Sequence, residues 1–433
     1  MSTLSARPSY AALLRVPHAR RTFAAALVGR LSYGTVSLSL MLSLTRATGS
    51  YAVAGLVMAL FGAAGVVLSP YRASLVDRHG PRRALLPMAL LYAALLCVLA
   101  AACARPGTPG AVLAAIAALA GACPPPLGPT MRAVWAELLP DRALLQRAYS
   151  LDGVAEELLF VSGPLLVGGV VAVAPPTVGV VLSAALVAAG TLAFVASPAV
   201  TARPAGREKA EAPTGGGATG QMRALLQPVV VAAAVGLSVS GVDLLVVAYA
   251  GERGLGDGAV AWVLAALSVG SAVGGLVNGA VAWTSPTRAR LPLFAAGLGL
   301  CLAAAGLAPG LGTLVPAVMC AGLFVAPALT TAYLIADESA APGTRVRAGA
   351  WCNTAVNAGM SAGAAAVGLL VERLPLPVCF AVSGAVAAAA ALVPGRRRSG
   401  SARRAGPVSR RRSRARRASR RSLPSRESRP SRP

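Results

Sequence analysis

Ala73-Ser74-Leu75-Val76-Asp77-Arg78-His79-Gly80-Pro81-Arg82-Arg83 is a compact charged stretch wedged between two long apolar runs. An acid, three arginines, a glycine and a proline fill the gap where one run ends and the next begins. That combination suits a tight turn at a membrane surface, with the cations held among anionic headgroups. The flanking runs are each about as long as the roughly 20 residues a helix needs to cross a bilayer.

The pattern repeats from end to end. Of 433 residues, 56% are hydrophobic and only 13% charged, and the mean hydropathy is +0.67. A soluble chain of this size could not cover so much apolar surface. The sequence predicts twelve spans, at roughly 22–44, 51–70, 84–104, 110–129, 151–173, 177–197, 226–249, 259–283, 291–308, 311–335, 348–371 and 376–394. The runs are continuous rather than alternating, which favours helices over barrel strands. Ala and Gly dominate, as expected where helix backbones pack closely in lipid.

Two breaks in hydrophobicity divide the chain. The segment 198–224 holds Pro204, Pro213 and Gly215-Gly216-Gly217, and reads as a flexible linker splitting the spans six and six. The tail 395–433 carries sixteen Arg against one Glu, repeats Arg, Ser and Pro, and is expected to be disordered. The expected organisation is a short N-terminal segment (1–21), a six-helix bundle (22–197), the linker, a second bundle (225–394) and the tail. The apolar run after 1–21 is long enough to span, so no cleavable leader is expected. The basic tail could bind anionic headgroups; no aromatic interleaving accompanies the charge, so no nucleic-acid partner is expected.

With the N-terminus placed in the cytoplasm, nineteen Lys and Arg outside the tail fall on the inner side, and four (Arg46, Arg105, Arg253, Arg373) fall outside. This is a strong positive-inside bias, and it implies a multi-pass plasma-membrane protein with both termini cytoplasmic. A shift of 200 residues aligns Thr130 with Thr330, Glu137 with Asp337, Ala148 with Ala348, Gly163 with Gly363 and Gly168 with Gly368. Two similar six-helix halves joined by a polar linker are the sequence form of a duplicated transporter. The seven cysteines (Cys97, Cys103, Cys123, Cys301, Cys320, Cys352, Cys379) lie in or beside apolar runs without metal-ligand spacing. They read as small buried residues, and no metal or cofactor is expected.

Residues 22–394 resemble the major facilitator superfamily. The opening stretch is similar to that family's loop between its second and third helices, Gly-x-x-x-Asp-Arg/Lys-x-Gly-x-Arg/Lys-Arg/Lys, at Asp77, Arg78, Gly80, Arg82 and Arg83, with Ala73 in place of the glycine. Gly163-Pro164-Leu165-Leu166-Val167-Gly168-Gly169 resembles the Gly-Pro-x-x-Gly-Gly signature of the family's drug:proton antiporters, with one extra residue before the glycine pair. Many proton-coupled members carry an Arg inside helix four; 110–129 holds none, and Arg132 falls at the cytoplasmic end of that span. The resemblance implies an all-α membrane fold of twelve helices in two pseudo-symmetric bundles. In such a fold Asp77 and the loop cations would grip helix ends of the opposite half when the cytoplasmic side is closed, though the cations also suffice to fix topology.

Other polar residues within spans are candidates for the transport path. Arg30 is a cation well inside the first span, where burial is costly without a partner or water, although its long side chain could also snorkel. Asp243, deep in the seventh span, is its expected counterpart or else a proton carrier. Asp152 reads as a helix-start acid that complements the dipole. Glu156 and Glu157 lie deeper, with Asp152 and Glu156 sharing a face at i, i+4. Asn353 and Asn357 put two amides on one face of the eleventh span, for interhelical bonding or for substrate. Gly163, Pro164, Gly168 and Gly169 suit packing and bending.

The expected function is proton-coupled efflux of a small organic compound, such as a drug or secondary metabolite, by a monomer. Import of a nutrient is the alternative within the same class. A membrane enzyme lacks a His cluster or phosphate loop in the sequence, and a non-transporting receptor would usually bring a folded soluble domain.

Overall fold

A computed structural model describes residues 9–201, 217–255, 257–341 and 343–394. Most of the expected linker and all of the Arg-rich tail therefore lie outside the described residues.

The chain forms α1 (Tyr10–Leu14), α2 (Ala19–Thr48), α3 (Tyr51–His79), α4 (Pro81–Ala104), α5 (Gly110–Ala122), α6 (Leu127–Leu138), α7 (Arg142–Val173), α8 (Pro176–Ala196), α9 (Pro198–Thr201), α10 (Gly217–Glu252), α11 (Asp257–Ala280), α12 (Thr287–Ala305), α13 (Leu311–Ser339), α14 (Arg345–Val371) and α15 (Leu376–Ala390). Eleven stretches are long and apolar enough to cross a membrane, with α5 and α6 together making one of them, and the shorter apolar α15 completes the set. Twelve crossings return the chain to the side on which it began. That side is the terminal face here, and the opposite side the far face.

Helix boundaries follow local chemistry. The Ser50 and Asp141 side chains accept from the backbone N–H groups of Val53 (3.3 Å) and Ala143 (2.7 Å), capping α3 and α7. Gly49 closes α2 in the left-handed region at φ +63°. The opening charged stretch differs from its reading as a loop. Nothing from Ala73 to His79 breaks a helix, so α3 runs to His79, and Gly80 alone separates it from Pro81 at the start of α4. Likewise α9 takes residues 198–201, and α10 starts at Gly217, inside the expected linker.

The fourth crossing is broken at Pro124-Pro125-Pro126, which cannot donate to the preceding turn. Past the break α6 continues to Leu138, so the crossing extends well beyond residue 129, the end read from hydropathy.

The two halves pack alike. α3 lies on α5, and α4 on α8; in the second half α11 lies on α13, and α12 on α15. A Cβ built on Gly163 would stand 2.8 Å from the Cα of Gly34, and one on Gly363 would stand 2.8 Å from the Cα of Leu237. The residue pair aligned by the 200-residue shift thus makes the same backbone-to-backbone contact in each bundle.

Three apolar cores hold the molecule. Two belong to single halves, around Val36, Leu40 and Leu96 and around Val242, Leu298 and Val318. The third joins both halves, packing Leu127, Met131 and Trp135 with Tyr333, Val346 and Ala350. Leu165, Val173, Leu293 and Leu300 stand exposed on helix surfaces, as lipid-facing side chains do. The cysteines are less uniformly buried than the sequence implied: Cys97 and Cys320 are exposed, and Cys103, Cys352 and Cys379 are buried.

Candidate functional site

Four charged side chains meet inside the first half. Arg30 on α2 pairs with Asp152 at 2.5 Å and with Glu156 at 3.0 Å, both on α7. Arg132 on α6 pairs with the same two carboxylates, at 2.8 and 2.6 Å. The i, i+4 spacing places both acids on one face of α7, where two guanidinium groups can bridge them. The quartet is electrically balanced, and each buried charge has opposite charges in contact, which such burial requires. Gly128 leaves room beside both guanidinium groups, its Cβ position being 3.8 Å from Cζ of Arg30 and 3.9 Å from Nη1 of Arg132.

The members differ in exposure. Arg30, Arg132 and Asp152 are buried, whereas the Glu156 side chain is 31% exposed. Arg132 also reaches the second half, its guanidinium lying 3.7 Å from the centre of the Tyr333 ring. The Tyr149 hydroxyl donates to the Arg132 carbonyl at 3.0 Å. Below Arg132 the seam between the halves narrows to a void of about 10 Å³ lined by Tyr149, Tyr333, Asp337 and Arg345.

The terminal face is latched on two sides. On one, Asp77 accepts from the backbone N–H groups of Val346 (3.2 Å) and Arg347 (2.9 Å) at the start of α14. Thr344, at the N-cap position, turns its hydroxyl to the Ala341 carbonyl instead, so a carboxylate from the other half takes up the first amides of α14. On the other side, Gln146 and Arg147 of α7 donate to the carbonyls of Asn278 (2.5 Å) and Ala280 (3.0 Å) at the end of α11. Arg290 donates to Gln146 at 3.0 Å, Arg142 pairs with Glu338 at 3.1 Å, and the Tyr10 hydroxyl donates to the Leu276 carbonyl at 2.8 Å. Farther in, Glu157 accepts from the Ser271 hydroxyl at 2.9 Å. Among the described residues, no hydrogen bond or ion pair joins the halves beyond that level toward the far face.

Several expectations from sequence are corrected. Arg30 does not meet Asp243; it is satisfied within its own bundle, and Asp243 is exposed without a hydrogen-bond or ion-pair partner among the described residues. Asp152 is no mere helix-start acid, being fully buried between two arginines. Arg132 is not at the end of its span but inside it. Of the loop residues, Asp77 alone makes the contact expected with the other half; Arg78, Arg82 and Arg83 are exposed without hydrogen-bond or ion-pair partners among the described residues, and Gly80 is the hinge between α3 and α4. Gly163 makes a close helix contact, but Gly168 and Gly169 have nothing within 4 Å of a Cβ position. α7 continues through Pro164. Asn353 accepts from the Tyr333 hydroxyl at 3.5 Å, linking α13 and α14, and Asn357 is exposed.

Twelve helical crossings in paired bundles, latched at one end around a buried charge cluster, are matched by the family comparison. Residues 22–340 match the Major Facilitator Superfamily. The chain belongs to the Major Facilitator Superfamily. It is thus a multi-pass membrane protein of a family of secondary transporters. Among solved members of similar fold, a bacterial homologue of the iron transporter ferroportin in an outward-facing state superposes with a TM-score of 0.69 at 13% identity, covering 86% of this chain and 97% of that one. The human organic anion transporter MFSD10 gives 0.67 at 15% identity, covering 87% and 99%. FucP, a Major Facilitator Superfamily transporter in the outward conformation, gives 0.62 at 14% identity, covering 86% and 97%. No curated protein sequence is a match.

Proposed function

We propose that this superfamily member is a proton-coupled exporter of a small organic compound, a drug-like molecule or secondary metabolite. It would work by alternating access in the plasma membrane, with the terminal face in the cytoplasm. The observation that carries the reading is the balanced quartet with one exposed member. A proton reaching Glu156 removes one of the quartet's two negative charges and leaves Arg30 and Arg132 sharing Asp152. The attraction drawing α7 toward α2 and α6 then weakens, so proton binding is tied to helix position. The latch at Asp77 supplies the second element, a contact that holds when the cytoplasmic side is closed and parts when it opens. Export as the direction rests on the Gly163-Pro164 signature of the fifth span.

The test is Glu156→Gln in reconstituted vesicles with an imposed pH gradient. Gradient-driven transport should be abolished, while exchange of substrate without a gradient persists. Wild-type gradient-driven rates in Glu156→Gln would remove the quartet from the coupling step. For direction, cells without the chain should accumulate substrate; faster uptake by cells expressing it would establish import instead.

A further inference from the structure

We infer that Arg72 is a positioning residue for the charge quartet: it holds the broken fourth crossing together and ties the place of both quartet arginines to the helix that carries Asp77. The inference rests on the proposed function for its consequence in transport, and on geometry for the rest.

The sequence places Arg72 among the cations of the terminal face, but it is 8% exposed, inside α3. Its Nη1 donates to the Gly121 carbonyl at 3.0 Å and its Nη2 to the Gly65 carbonyl at 2.7 Å. In an unbroken helix, the carbonyl of residue 121 would be served by the amide of residue 125. That residue is Pro125, which has no N–H. Arg72 supplies the missing donor from a neighbouring helix, with a positive charge at the carbonyl end of α5 where the helix dipole favours one. The α3–α5 contact around this bond is tight, since a Cβ on Gly121 would stand 2.8 Å from the Phe61 carbonyl carbon. α3 and the end of α5 are therefore one packed unit.

The break is held from a second side. The Tyr33 hydroxyl donates to the Pro125 carbonyl at 2.5 Å. Tyr33 lies one helical turn from Arg30 on α2, and Arg132 lies on α6, the helix that leaves the break. Both quartet arginines are thus referred to the same three prolines, one through a tyrosine and one through the chain itself. Asp77 sits five residues beyond Arg72 on α3. A shift of α3 on release of the Asp77 latch is passed through Arg72 to the break, and from there to Arg30 and Arg132.

The test uses Arg72→Ala, Arg72→Lys and Tyr33→Phe in the full chain, with two readouts. Hydrogen exchange of the non-proline amides that flank the break within 123–132 reports on its order and needs no transport. It should rise about tenfold in Arg72→Ala, the loss of one buried charged bond, and less in Tyr33→Phe. In vesicles, the pH midpoint of gradient-driven transport should move in Arg72→Ala, move the same way in Tyr33→Phe, and return part of the way in Arg72→Lys, which keeps the charge but cannot span two carbonyls. Unchanged exchange in Arg72→Ala overturns the clamp. Raised exchange with wild-type rate and pH midpoint overturns the positioning role. If Arg72→Ala does not fold, Arg72→Lys and Tyr33→Phe decide by the same criteria. Failure of Glu156→Gln to affect transport would instead refute the coupling reading and leave the exchange result standing.

Discussion

Replacing Asp77 by Ala should open the terminal face by an amount that the structure lets one estimate. The carboxylate accepts two backbone N–H groups, of Val346 and Arg347, at 3.2 and 2.9 Å. A net hydrogen bond to a charged group contributes about 1.5–3 kcal/mol, and an anion at a helix N-terminus about 0.3–1 kcal/mol. Asp77 is half-buried at the membrane edge, where water competes for the freed amides, so about 2 kcal/mol for the whole contact is reasonable. That is roughly a 30-fold shift in the closed-to-open ratio. Asp77→Asn, which keeps an acceptor but loses the charge, should fall between Asp77→Ala and the native chain. Spin labels at the exposed positions Arg83 and Ser285, one in each half, report the distance across the terminal face in a cysteine-free background. The short-distance population should shrink in Asp77→Ala and shrink less in Asp77→Asn. Identical distance distributions for all three proteins would show that the contact with α14 does not hold the face shut.

Other substitutions separate structure from mechanism. Asp152→Asn leaves two buried guanidinium groups short of a counter-charge and should cost about 3–5 kcal/mol; the thermal midpoint of the purified protein should fall well below that of Asp77→Ala, and an unchanged midpoint would contradict the burial described. Gly163→Ala forces a methyl against the α2 backbone at Gly34 and should lower the yield of folded protein, whereas Gly168→Ala, with open space around it, should behave like the native chain. Equal yields for the two would mean that α2 and α7 are not in such close contact.

Much of the fold is legible in the sequence because apolar length and the alternation of cations report directly on crossings. The repeat is legible for the same reason: Gly163 and Gly363 are spaced by the duplication and meet equivalent backbones. Helix ends are less so. A hydropathy reading stops a span where charges begin, yet α3 keeps turning through Asp77 to His79, and α6 through Arg132 to Leu138. Arg132 and Asp152 were hidden by this effect, since a buried, paired charge looks in sequence like one at a membrane edge. The three prolines before α6 were the available signal, because they restart the helix and carry its next turns inward. The expected Arg30–Asp243 pair failed for another reason. Sequence says which helices carry charges but not their depth or azimuth, and here the nearest opposite charges to Arg30 lie on α7.

The groups that fasten the two halves include amides at the beginning of α14 and carbonyls at the finish of α11, all on the terminal face. When such fastenings part, solvent can step in as the replacement partner, so that each costs only about 0.5–3 kcal/mol to give up rather than the full strength of a bond lost in oil. A clasp placed at mid-membrane would have no such understudy, and its release would leave bare peptide groups in oil. Siting most of the polar fastenings toward the terminal face therefore lets a chain this apolar swing between shapes on the small energies that one proton or one ligand can deliver.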